Sequence, residues 1–274
     1  MTDDDCVRFL QATLPGLELK WAGYRKVRRT VCKRIARRMR DLGLTTLAEY
    51  AHLVAQSAEE QARLDAFCRI PISRFYRDRG VFDALATTLL PDLADRASAA
   101  AEKTLRCWSA GCASGEEVYT LRLVWDLSLQ TRHQDMRLAI LATDADEVML
   151  ARAAAACYPP GSLKDAPADW LARAFMEAGG LLCLRPAFRH DIAFRQQDIR
   201  LMQPDGPLHL VLCRNLVFTY FTDALQRRLL AAIADRLADG GLLVLGAHER
   251  LPAHTTGFRP ACGALPIWRK AADQ

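Results

Sequence analysis

The residues best suited to chemistry lie in one short segment, residues 108–117, which reads Trp-Ser-Ala-Gly-Cys-Ala-Ser-Gly-Glu-Glu. It follows a short apolar run and opens a stretch of helical periodicity, the place where doubly wound sheets bind nucleotide-like ligands. Its glycines would let a ligand approach the backbone closely. The first glycine of the dinucleotide fingerprint G-x-G-x-x-G would fall on Ser109, so this segment is not that fingerprint.

Two adjacent acids at the end of this segment narrow the class of ligand. Glu116 and Glu117 would repel a phosphate, the group that commonly binds at a helix N-terminus, but they could hold an ammonium group. S-adenosylmethionine carries an ammonium and a sulfonium group and has no phosphate, so its charges are complementary to the two carboxylates. The alternative that the residues leave open is a tight turn whose acids only favour the helix dipole.

Further polar positions end the predicted strands. Asp144 ends the second strand, where an acid can accept hydrogen bonds from both ribose hydroxyls of a nucleoside, although it could equally cap the next helix. Asp198 ends the third strand, and Arg214 with Asn215 ends the fourth, where a solvated strand end is the alternative. Because ligands bind outside the carboxyl ends of the strands, we expect these residues to meet at one crevice.

Other kinds of site are poorly supported. There is no Gly-Lys-Ser/Thr phosphate loop, and residues 111–115 lack the central serine of a nucleophile elbow. The nine cysteines are scattered and include no Cys-x-x-Cys pair, so we expect reduced, buried thiols. The six histidines show no His-x-x-x-His pair, so we expect no metal.

The elements that must position these residues alternate between strands and helices after residue 105. Such alternation predicts an α/β fold with a mostly parallel, doubly wound sheet, to which the chain end could add an antiparallel hairpin. The predicted strands cover residues 105–109, 138–142, 192–194, 209–213 and 242–246, and the predicted helices cover residues 116–129, 146–157 and 223–237.

The residues before this region predict helices, one of which is strongly basic. Residues 25–40 hold nine of the 37 basic residues and no acid. The rest of the chain has 28 basic and 32 acidic residues, so it is slightly acidic. Apolar residues recur there at helical spacing, so the segment predicts an amphipathic helix with a cationic face. That face indicates an anionic partner, or else a solvated surface. Only Trp21 and Tyr24 lie nearby as aromatics, so nucleic acid is an unlikely partner.

These patterns divide the chain into three parts. We expect an N-terminal helical domain over residues 1–70, a linker segment and helix over 71–104, and an α/β domain over 105–274 with a small excursion at 158–190. No apolar run approaches the roughly 20 residues that span a bilayer, so we expect no membrane insertion. The acidic start of the chain does not resemble a secretory signal, so we expect a cytoplasmic location. The sequence leaves the oligomeric state open.

Five segments taken together resemble the CheR-type methyltransferases, the family that methylates glutamates of chemotaxis receptors. The resemblance covers nearly the whole chain and the order of the motifs. The segments are residues 74–78 (Arg-Phe-Tyr-Arg-Asp), 108–117, 142–146 (Ala-Thr-Asp-Ala-Asp), 213–215 (Cys-Arg-Asn) with 220–221 (Tyr-Phe), and 246–249 (Gly-Ala-His-Glu).

The resemblance implies a Rossmann-like S-adenosylmethionine domain preceded by a small all-α domain. Three features depart from the family's usual pattern. Residues 71–73 read Pro-Ile-Ser where an Asn-x-Thr stretch usually stands, and the spacing from Arg214 to Tyr220 is one residue longer than usual. The stretch 179–190 is short, so we expect a reduced β-subdomain within 158–190.

The resemblance also implies a role for each matching position. Glu117 would hold the methionine ammonium and Asp144 the ribose, whereas Arg77 and Tyr220 would form the catalytic centre. Ser73 and Arg77 would reach the cofactor from the linker. Asp198 and Ile199 would flank the adenine, and Cys213 and Arg214 would contact the cofactor through backbone or side chain.

We therefore expect an S-adenosylmethionine-dependent O-methyltransferase that acts on glutamate carboxylates of a chemoreceptor-type protein. The expected partner is an acidic protein that docks on the basic helix 25–40. Two alternatives remain: a methyltransferase that acts on a small molecule or a nitrogen, and a cofactor-sensing regulator that binds nucleic acid through the basic helix.

Overall fold

The computed structural model describes residues 2–272, so the outermost residues of the two predicted domains (Met1, Asp273 and Gln274) lie outside the described residues. The chain divides into two compact units. The first comprises Met1–Ile70 with Leu216–Gln226, and the second comprises Pro71–Asn215 with Arg227–Gln274. Residues 216–226, which the sequence analysis assigns to the α/β domain, thus group with the helical residues.

Among the described residues before Pro71, the first unit contains five short α-helices, three of which begin at side-chain caps. Thr2 and Thr46 each accept a hydrogen bond from the backbone three residues on, and Asp5 and Glu49 complete the two capping boxes. Ser57 caps the last helix of the series. The five helices are α1 (Asp3–Thr13), α2 (Trp21–Tyr24), α3 (Arg28–Asp41), α4 (Leu47–Gln56) and α5 (Ala58–Phe67).

The predicted amphipathic helix is α3. Its apolar stripe is buried, with Val31, Ile35 and Met39 all at most 5% exposed. Two short elements of the same unit come from the later part of the chain. Leu19 pairs with Phe221 in an isolated antiparallel bridge, and a short helix follows Leu216.

The second unit contains a seven-stranded, mostly parallel sheet and a separate three-stranded antiparallel sheet. This Rossmann-like arrangement confirms the predicted fold class. The strands are β1 (Thr104–Ala110), β2 (Arg137–Asp144), β3 (Cys157–Tyr158), β4 (Phe175–Ala178), β5 (Leu181–Leu184), β6 (Ile192–Gln196), β7 (Leu208–Leu212), β8 (Leu237–Val244), β9 (Phe258–Pro260) and β10 (Ile267–Lys270). The remaining helices are α6 (Arg79–Ala84), α7 (Leu90–Ala99), α8 (Glu116–Val124), α9 (Glu147–Ala155), α10 (Ala168–Ala174), α11 (Val217–Tyr220) and α12 (Asp223–Arg236).

The order of the large sheet, β6-β2-β1-β7-β8-β10-β9, places a topological switch between β1 and β7. The chain winds outward from β1 through β2 to β6, and then crosses back to β7 on the other side of β1. All five residues of β7 are buried, as expected for a central parallel strand covered on both faces. Ligands of open α/β sheets bind at such a switch, outside the carboxyl ends of the strands.

The sequence predicts a break between the helix over residues 223–237 and the strand over 242–246, but the two glycines of this break lie inside a strand. Gly240 and Gly241 belong to β8, where the register with β7 shifts between the pairs Leu208–Leu237 and Leu210–Leu242. Gly240 has a φ of +73°, which glycine adopts without the steric cost of a side chain. The break is therefore an irregularity within a strand that begins earlier than predicted.

A proline is also accommodated without ending a helix. Proline disfavours a continuous helix across Pro91, and the structure has α6 and α7 joined through a π-helical stretch, Leu85–Leu89. Proline lacks the backbone N–H and its ring clashes with the preceding turn, and the turn before Pro91 is the one in which the helix widens.

The excursion after β2 forms the antiparallel sheet β3-β5-β4. Within this sheet β4 and β5 form a hairpin, and they pair from Phe175–Leu184 to Ala178–Leu181 around Gly179 and Gly180. A third strand, β3, pairs with β5 on its other side. No pattern in the sequence indicates β3, because this strand spans only two residues.

The expectation of nine reduced thiols is wrong for four cysteines. Disulfides join Cys6 to Cys32 and Cys157 to Cys183. Cys157 and Cys183 lie directly opposite each other on β3 and β5, so strand pairing brings them together. The cysteines that form no disulfide among the described residues are Cys68, Cys107, Cys112, Cys213 and Cys262. Within residues 2–272, no helix is long and apolar enough to cross a membrane.

Candidate active site

The turn between β1 and α8 is held by left-handed backbone conformations. Gly111, Ala113 and Gly115 have φ values of +74°, +47° and +88°. The N–H of Gly111 donates to the Thr143 carbonyl at 2.8 Å, which fixes the turn to the end of β2. A Cβ atom on Gly115 would lie 2.9 Å from the Cβ of Ala153, so this position requires glycine both for its backbone and for its packing.

The structure separates the roles of the two adjacent acids. Glu116 is 3% exposed, and its carboxylate accepts hydrogen bonds from the Ser114 hydroxyl at 2.9 and 3.1 Å, so it stabilises the turn from within. Glu117 accepts from the Ser109 hydroxyl at 3.0 Å and from Arg214 at 2.8 Å. Glu117 is thus the acid that contacts residues at the carboxyl ends of β1 and β7.

Asp144 ties the turn to the end of β2. One carboxylate oxygen accepts the Ala113 N–H at 2.8 Å, and the other accepts the Asp146 N–H at 2.9 Å. The alternative role as the cap of the next helix belongs to Asp146, whose side chain accepts from Val148 and Met149. Asp144 therefore presents its carboxylate at the carboxyl edge of the sheet, beside the glycine turn.

Arg214, at the end of β7, connects three parts of this edge. Its side chain is 3% exposed and donates to Glu117 at 2.8 Å and to Asp78 at 2.7 Å. The same guanidinium donates to the backbone carbonyl of Arg77 at 2.8 Å and lies over the Phe82 ring. The sequence predicts Arg214 as a cofactor contact, and the structure adds that it fixes Glu117 relative to the linker.

The linker segment around Arg77 has an unusual backbone. Tyr76 and Asp78, on either side of Arg77, have φ values of +56° and +63°. Such conformations cost energy for residues other than glycine and cluster at functional sites. The Arg77 guanidinium donates to the Ile72 carbonyl at 2.6 Å and to the Asn215 side chain at 3.2 Å. Arg77 as a whole residue is half-buried.

The small antiparallel sheet supports this linker. The ring of Phe75 packs edge-on against Tyr158 of β3 and Phe175 of β4, with ring centroids 4.9 and 5.3 Å apart. Tyr158 in turn donates from its hydroxyl to the Ser114 carbonyl of the glycine turn at 2.7 Å. Burial raises the pKa of Tyr158, so it remains a neutral donor. The sheet thus holds the linker and the glycine turn together.

The end of β7 is pinned by a buried acid that the sequence analysis left without a role. Glu249 is 4% exposed and accepts the N–H groups of Asn215 and Gly246, each at 2.7 Å. A Cβ atom on Gly246 would lie 2.7 Å from the Asn215 amide oxygen, so the close approach requires glycine. The signal in the sequence is the segment 246–249, which pairs a glycine with this acid.

The other predicted cofactor positions lie in the same unit. Asp198 follows β6 and holds Arg200 in a two-oxygen salt bridge with a shortest distance of 2.6 Å, and the neighbouring Ile199 is buried. Cys213 is buried at the end of β7, where its N–H donates to the Val244 carbonyl at 2.9 Å. Ser73 is half-buried in the linker, four residues before Arg77.

The donor set at this edge fits a cofactor that carries an ammonium and a ribose. Glu117 and Asp144 offer carboxylates beside a turn of small residues, and the turn carries no lysine for a phosphate. The nearby thiol does not compete as a nucleophile, because burial raises the pKa of Cys112 well above its usual value.

The comparison with known families agrees with this chemistry. The model described as "CheR methyltransferase, SAM binding domain" matches residues 72–264. The chain belongs to the CheR methyltransferase family. Its cofactor is therefore S-adenosylmethionine, as the sequence analysis predicts.

Three relatives illustrate the similarity. An "Uncharacterized 104.1 kDa protein in hypE 3'region" of Rhodobacter capsulatus is 33% identical over 88% of this chain and 25% of its own length. A chemotaxis protein methyltransferase of Listeria monocytogenes is 34% identical over 66% of each chain. A probable chemotaxis protein methyltransferase of Rhizobium etli is 30% identical over 81% of this chain and 84% of its own length. The chain thus spans a quarter of the first relative and just under two thirds of the second.

One predicted catalytic residue lies in the other unit of this CheR-family chain. Tyr220 ends α11 and packs on Tyr24, with ring centroids 5.0 Å apart. Arg77 and all the predicted cofactor residues belong to the second unit. The role of Tyr220 in catalysis therefore remains a proposal.

The basic helix keeps only part of its charge free for a partner. Arg38 binds the buried Glu60 at 2.7 Å, Arg28 binds Asp3, and Arg34 donates to two backbone carbonyls. The exposed cations of α3 are Arg29, Lys33, Arg37 and Arg40, which recur every three or four residues and so share one face.

A polar cavity of about 330 Å³ lies near the start of β2. It is lined by Arg122, Asp126 and His190 among others, and it shares no lining residue with the predicted cofactor site. Burial raises the pKa of Asp126, although the Arg122 and His190 charges oppose the shift. No motif in the sequence marks the charged residues that line this cavity, so sequence reasoning alone does not distinguish them from other buried charged residues.

Proposed function

We propose that this CheR-family chain transfers the methyl group of S-adenosylmethionine to glutamate carboxylates of a chemoreceptor-type protein. One observation carries the proposal. Glu117 and Asp144 lie at the carboxyl ends of the parallel strands, and Arg214 there binds both Glu117 and the linker segment that contains Arg77. Relatives named as chemotaxis protein methyltransferases support the choice of a protein in chemotaxis.

The chemistry asks little of the protein beyond orientation. S-adenosylmethionine supplies an activated sulfonium methyl group when bound. A glutamate carboxylate, with an ordinary pKa of about 4.3, is ionised at neutral pH, so no general base is required. Orientation of the two reactants can lower the barrier by roughly 7–11 kcal/mol.

Each site residue has a binding or orienting role in this proposal. Glu117 holds the methionine ammonium, and Asp144 accepts hydrogen bonds from the ribose hydroxyls. Arg77 and Tyr220 orient the target carboxylate. The remaining cofactor contacts are assigned to Ser73, Asp198, Ile199, Cys213 and Arg214.

The exposed cations of α3 suit an acidic protein partner. Arg29, Lys33 and Arg37 follow one another at four-residue spacing, which matches a ladder of acids on a partner helix. Such docking would bring a glutamate of the partner protein to the enzyme. It needs none of the aromatic stacking contacts that single-stranded nucleic acid would require.

The proposal is tested with labelled cofactor and a lysate of the protein's own host, followed by identification of the labelled species. We expect label in one or a few acidic proteins with the wild type and much less label with Asp144→Ala at a subsaturating concentration of cofactor. Label confined to small molecules would support the first alternative activity instead. Binding of nucleic acid without any transfer would support the regulator.

We also propose the cytoplasm as the location, and the cysteine pairs test it. Disulfides are rare in that reducing compartment. In a reducing compartment both disulfides would be open. Cells quenched with acid and alkylated under denaturing conditions should then show all nine cysteines modified, whereas five modified cysteines would show that both disulfides form in the cell. The second result would contradict a reducing location.

A further inference from the structure

The segment that carries Tyr220 is bound to the N-terminal part of the chain through its backbone. The Lys20 N–H donates to the Tyr220 carbonyl at 2.8 Å, and the Thr222 N–H donates to the Glu18 carbonyl at 2.9 Å. These bonds flank the bridge between Leu19 and Phe221. The backbone position of Tyr220 is therefore set by the residues just before α2.

The side chain of Tyr220 is set by α2 itself. Its ring packs on Tyr24 at 5.0 Å between centroids and at an interplanar angle of 48°. Tyr24 is 1% exposed and donates from its hydroxyl to the Cys68 carbonyl at 3.3 Å. A buried, hydrogen-bonded ring is a rigid surface for its neighbour.

Gly23 leaves room for this arrangement. A Cβ atom at Gly23 would meet the Thr219 carbonyl oxygen and would lie 3.0 Å from Cδ1 of Tyr220. The backbone of residue 219 cannot move freely, because the bonds to Lys20 and Glu18 hold the next residues. Any side chain at position 23 must therefore displace the α11 segment or the Tyr220 ring.

We propose that Gly23 and Tyr24 are positioning residues, which hold Tyr220 in the orientation that methyl transfer requires. This inference rests on the proposed function of Tyr220 as an orienting group for the target carboxylate. It assigns to α2 a part in the reaction, although α2 contributes no residue to the predicted cofactor site.

The proposal has a consequence for substrate docking. Tyr24 is followed after three residues by α3, whose exposed cations form the proposed docking face. The docking face and the orienting tyrosine then belong to the same compact unit, whereas the cofactor residues belong to the other. A change at Gly23 or Tyr24 should alter turnover and leave cofactor affinity unchanged.

The test compares Tyr24→Leu, Gly23→Ala and Tyr24→Phe with a matched control, Tyr50→Leu. Tyr50 is also fully buried in the helical unit, where it contacts Phe9 and Glu60. We expect Tyr24→Leu and Gly23→Ala to lower kcat between about tenfold and a hundredfold, as expected for a misplaced reactive group, with unchanged KM for the protein target and unchanged cofactor Kd. Tyr24→Phe keeps the ring and should retain most of kcat. An equal loss of kcat in Tyr50→Leu would show a general structural effect and overturn the proposal.

A second readout separates this inference from the proposed function. Incorporation of fluorotyrosine gives a ¹⁹F signal for Tyr220, assigned by its loss in Tyr220→Phe. We expect Tyr24→Leu and Gly23→Ala to shift this signal and Tyr50→Leu to leave it in place. An unchanged signal would overturn the positioning role whatever the activity. A shifted signal in a protein that forms no methyl ester would support the positioning of the ring and contradict only the proposed reaction.

Discussion

The guanidinium of Arg214 donates to the carboxylate of Glu117 at 2.8 Å, and both side chains are largely buried. The same guanidinium binds Asp78 at 2.7 Å and the Arg77 carbonyl, so one side chain fixes Glu117, the proposed ammonium-binding acid, relative to the linker. In this arrangement the proposed cofactor site and the proposed orienting arginine share a single support.

Replacement of Arg214 should therefore weaken cofactor binding. Lysine cannot serve Glu117, Asp78 and the Arg77 carbonyl together, because its ammonium lacks the planar fork of donors. We expect Arg214→Lys to raise the Kd for S-adenosylmethionine about tenfold, or ~1.4 kcal/mol, by calorimetry. Arg173→Ala breaks an exposed pair with Asp169 and serves as the control, with no change in Kd expected. Wild-type affinity in Arg214→Lys would contradict the bridging role.

Asp144 should contribute to binding of the cofactor and of its demethylated product alike, since both carry the ribose. We expect Asp144→Ala to weaken both by calorimetry to a similar degree, by about tenfold or more. The control is Asp146→Ala, which removes the cap of α9 and should cost about 1 kcal/mol of stability without a comparable loss of affinity. Equal binding by Asp144→Ala and the wild type would remove Asp144 from the site.

The helical unit should lose stability in acid through Glu60. The Arg38 guanidinium, with a further hydrogen bond from Tyr50, holds the pKa of this buried carboxyl below its usual value. A lowered folded-state pKa stabilises the fold above the unfolded pKa of about 4.3, and the contribution is lost as the pH falls through the folded-state value. Glu60→Gln should cost about 1.5–3 kcal/mol at pH 7 in urea unfolding.

The pH dependence provides the check on this assignment. The difference between wild type and Glu60→Gln should shrink as the pH falls below about 4. Glu59→Gln, at a neighbouring exposed position with a surface pair to Arg63, should differ little from the wild type at any pH. A constant difference between Glu60→Gln and wild type across this range would show that the carboxylate charge is not the cause.

Docking on α3 should depend on charge and on salt. The triple variant Arg29→Glu, Lys33→Glu and Arg37→Glu should weaken methylation of the protein target at subsaturating concentration and low salt, with cofactor affinity unchanged. The wild-type rate should fall between 0.1 M and 1 M salt, because the Debye length falls from about 10 Å to about 3 Å.

The matched control for this variant reverses three exposed arginines of the second unit, Arg132, Arg152 and Arg227, with the same change in net charge. A similar loss of methylation in both triple variants would indicate general charge repulsion. A wild-type rate in the α3 variant would exclude docking on this face.

The sequence predicts the large sheet well, because its strands are short apolar runs that end in polar residues. The prediction fails where a structure depends on distant partners. The two-residue strand β3 exists only through pairing with β5, and the disulfide between Cys157 and Cys183 depends on that pairing. Gly240 and Gly241 resemble a turn locally, but the register with β7 keeps them in a strand.

The site shows the same division. The turn 108–117 and Asp144 are predicted from local pattern, and the structure places both at one edge of the sheet. The partner of Arg214 is 97 residues away at Glu117, so no local pattern predicts the bridge. The placement of Tyr220 against Tyr24 in the helical unit is equally distant in sequence, and hydrophobic periodicity contains no information on it.

The central claim is methyl transfer to a carboxylate, and the stability of the product bond tests it most directly. The wild-type enzyme first labels its protein target with S-adenosylmethionine that carries a labelled methyl group. The labelled protein is then treated with mild alkali, and the volatile label is measured. The account predicts a methyl ester, so the label should leave as methanol. Label that stays on the protein after this treatment would identify an N-methyl or ether product and would contradict the account.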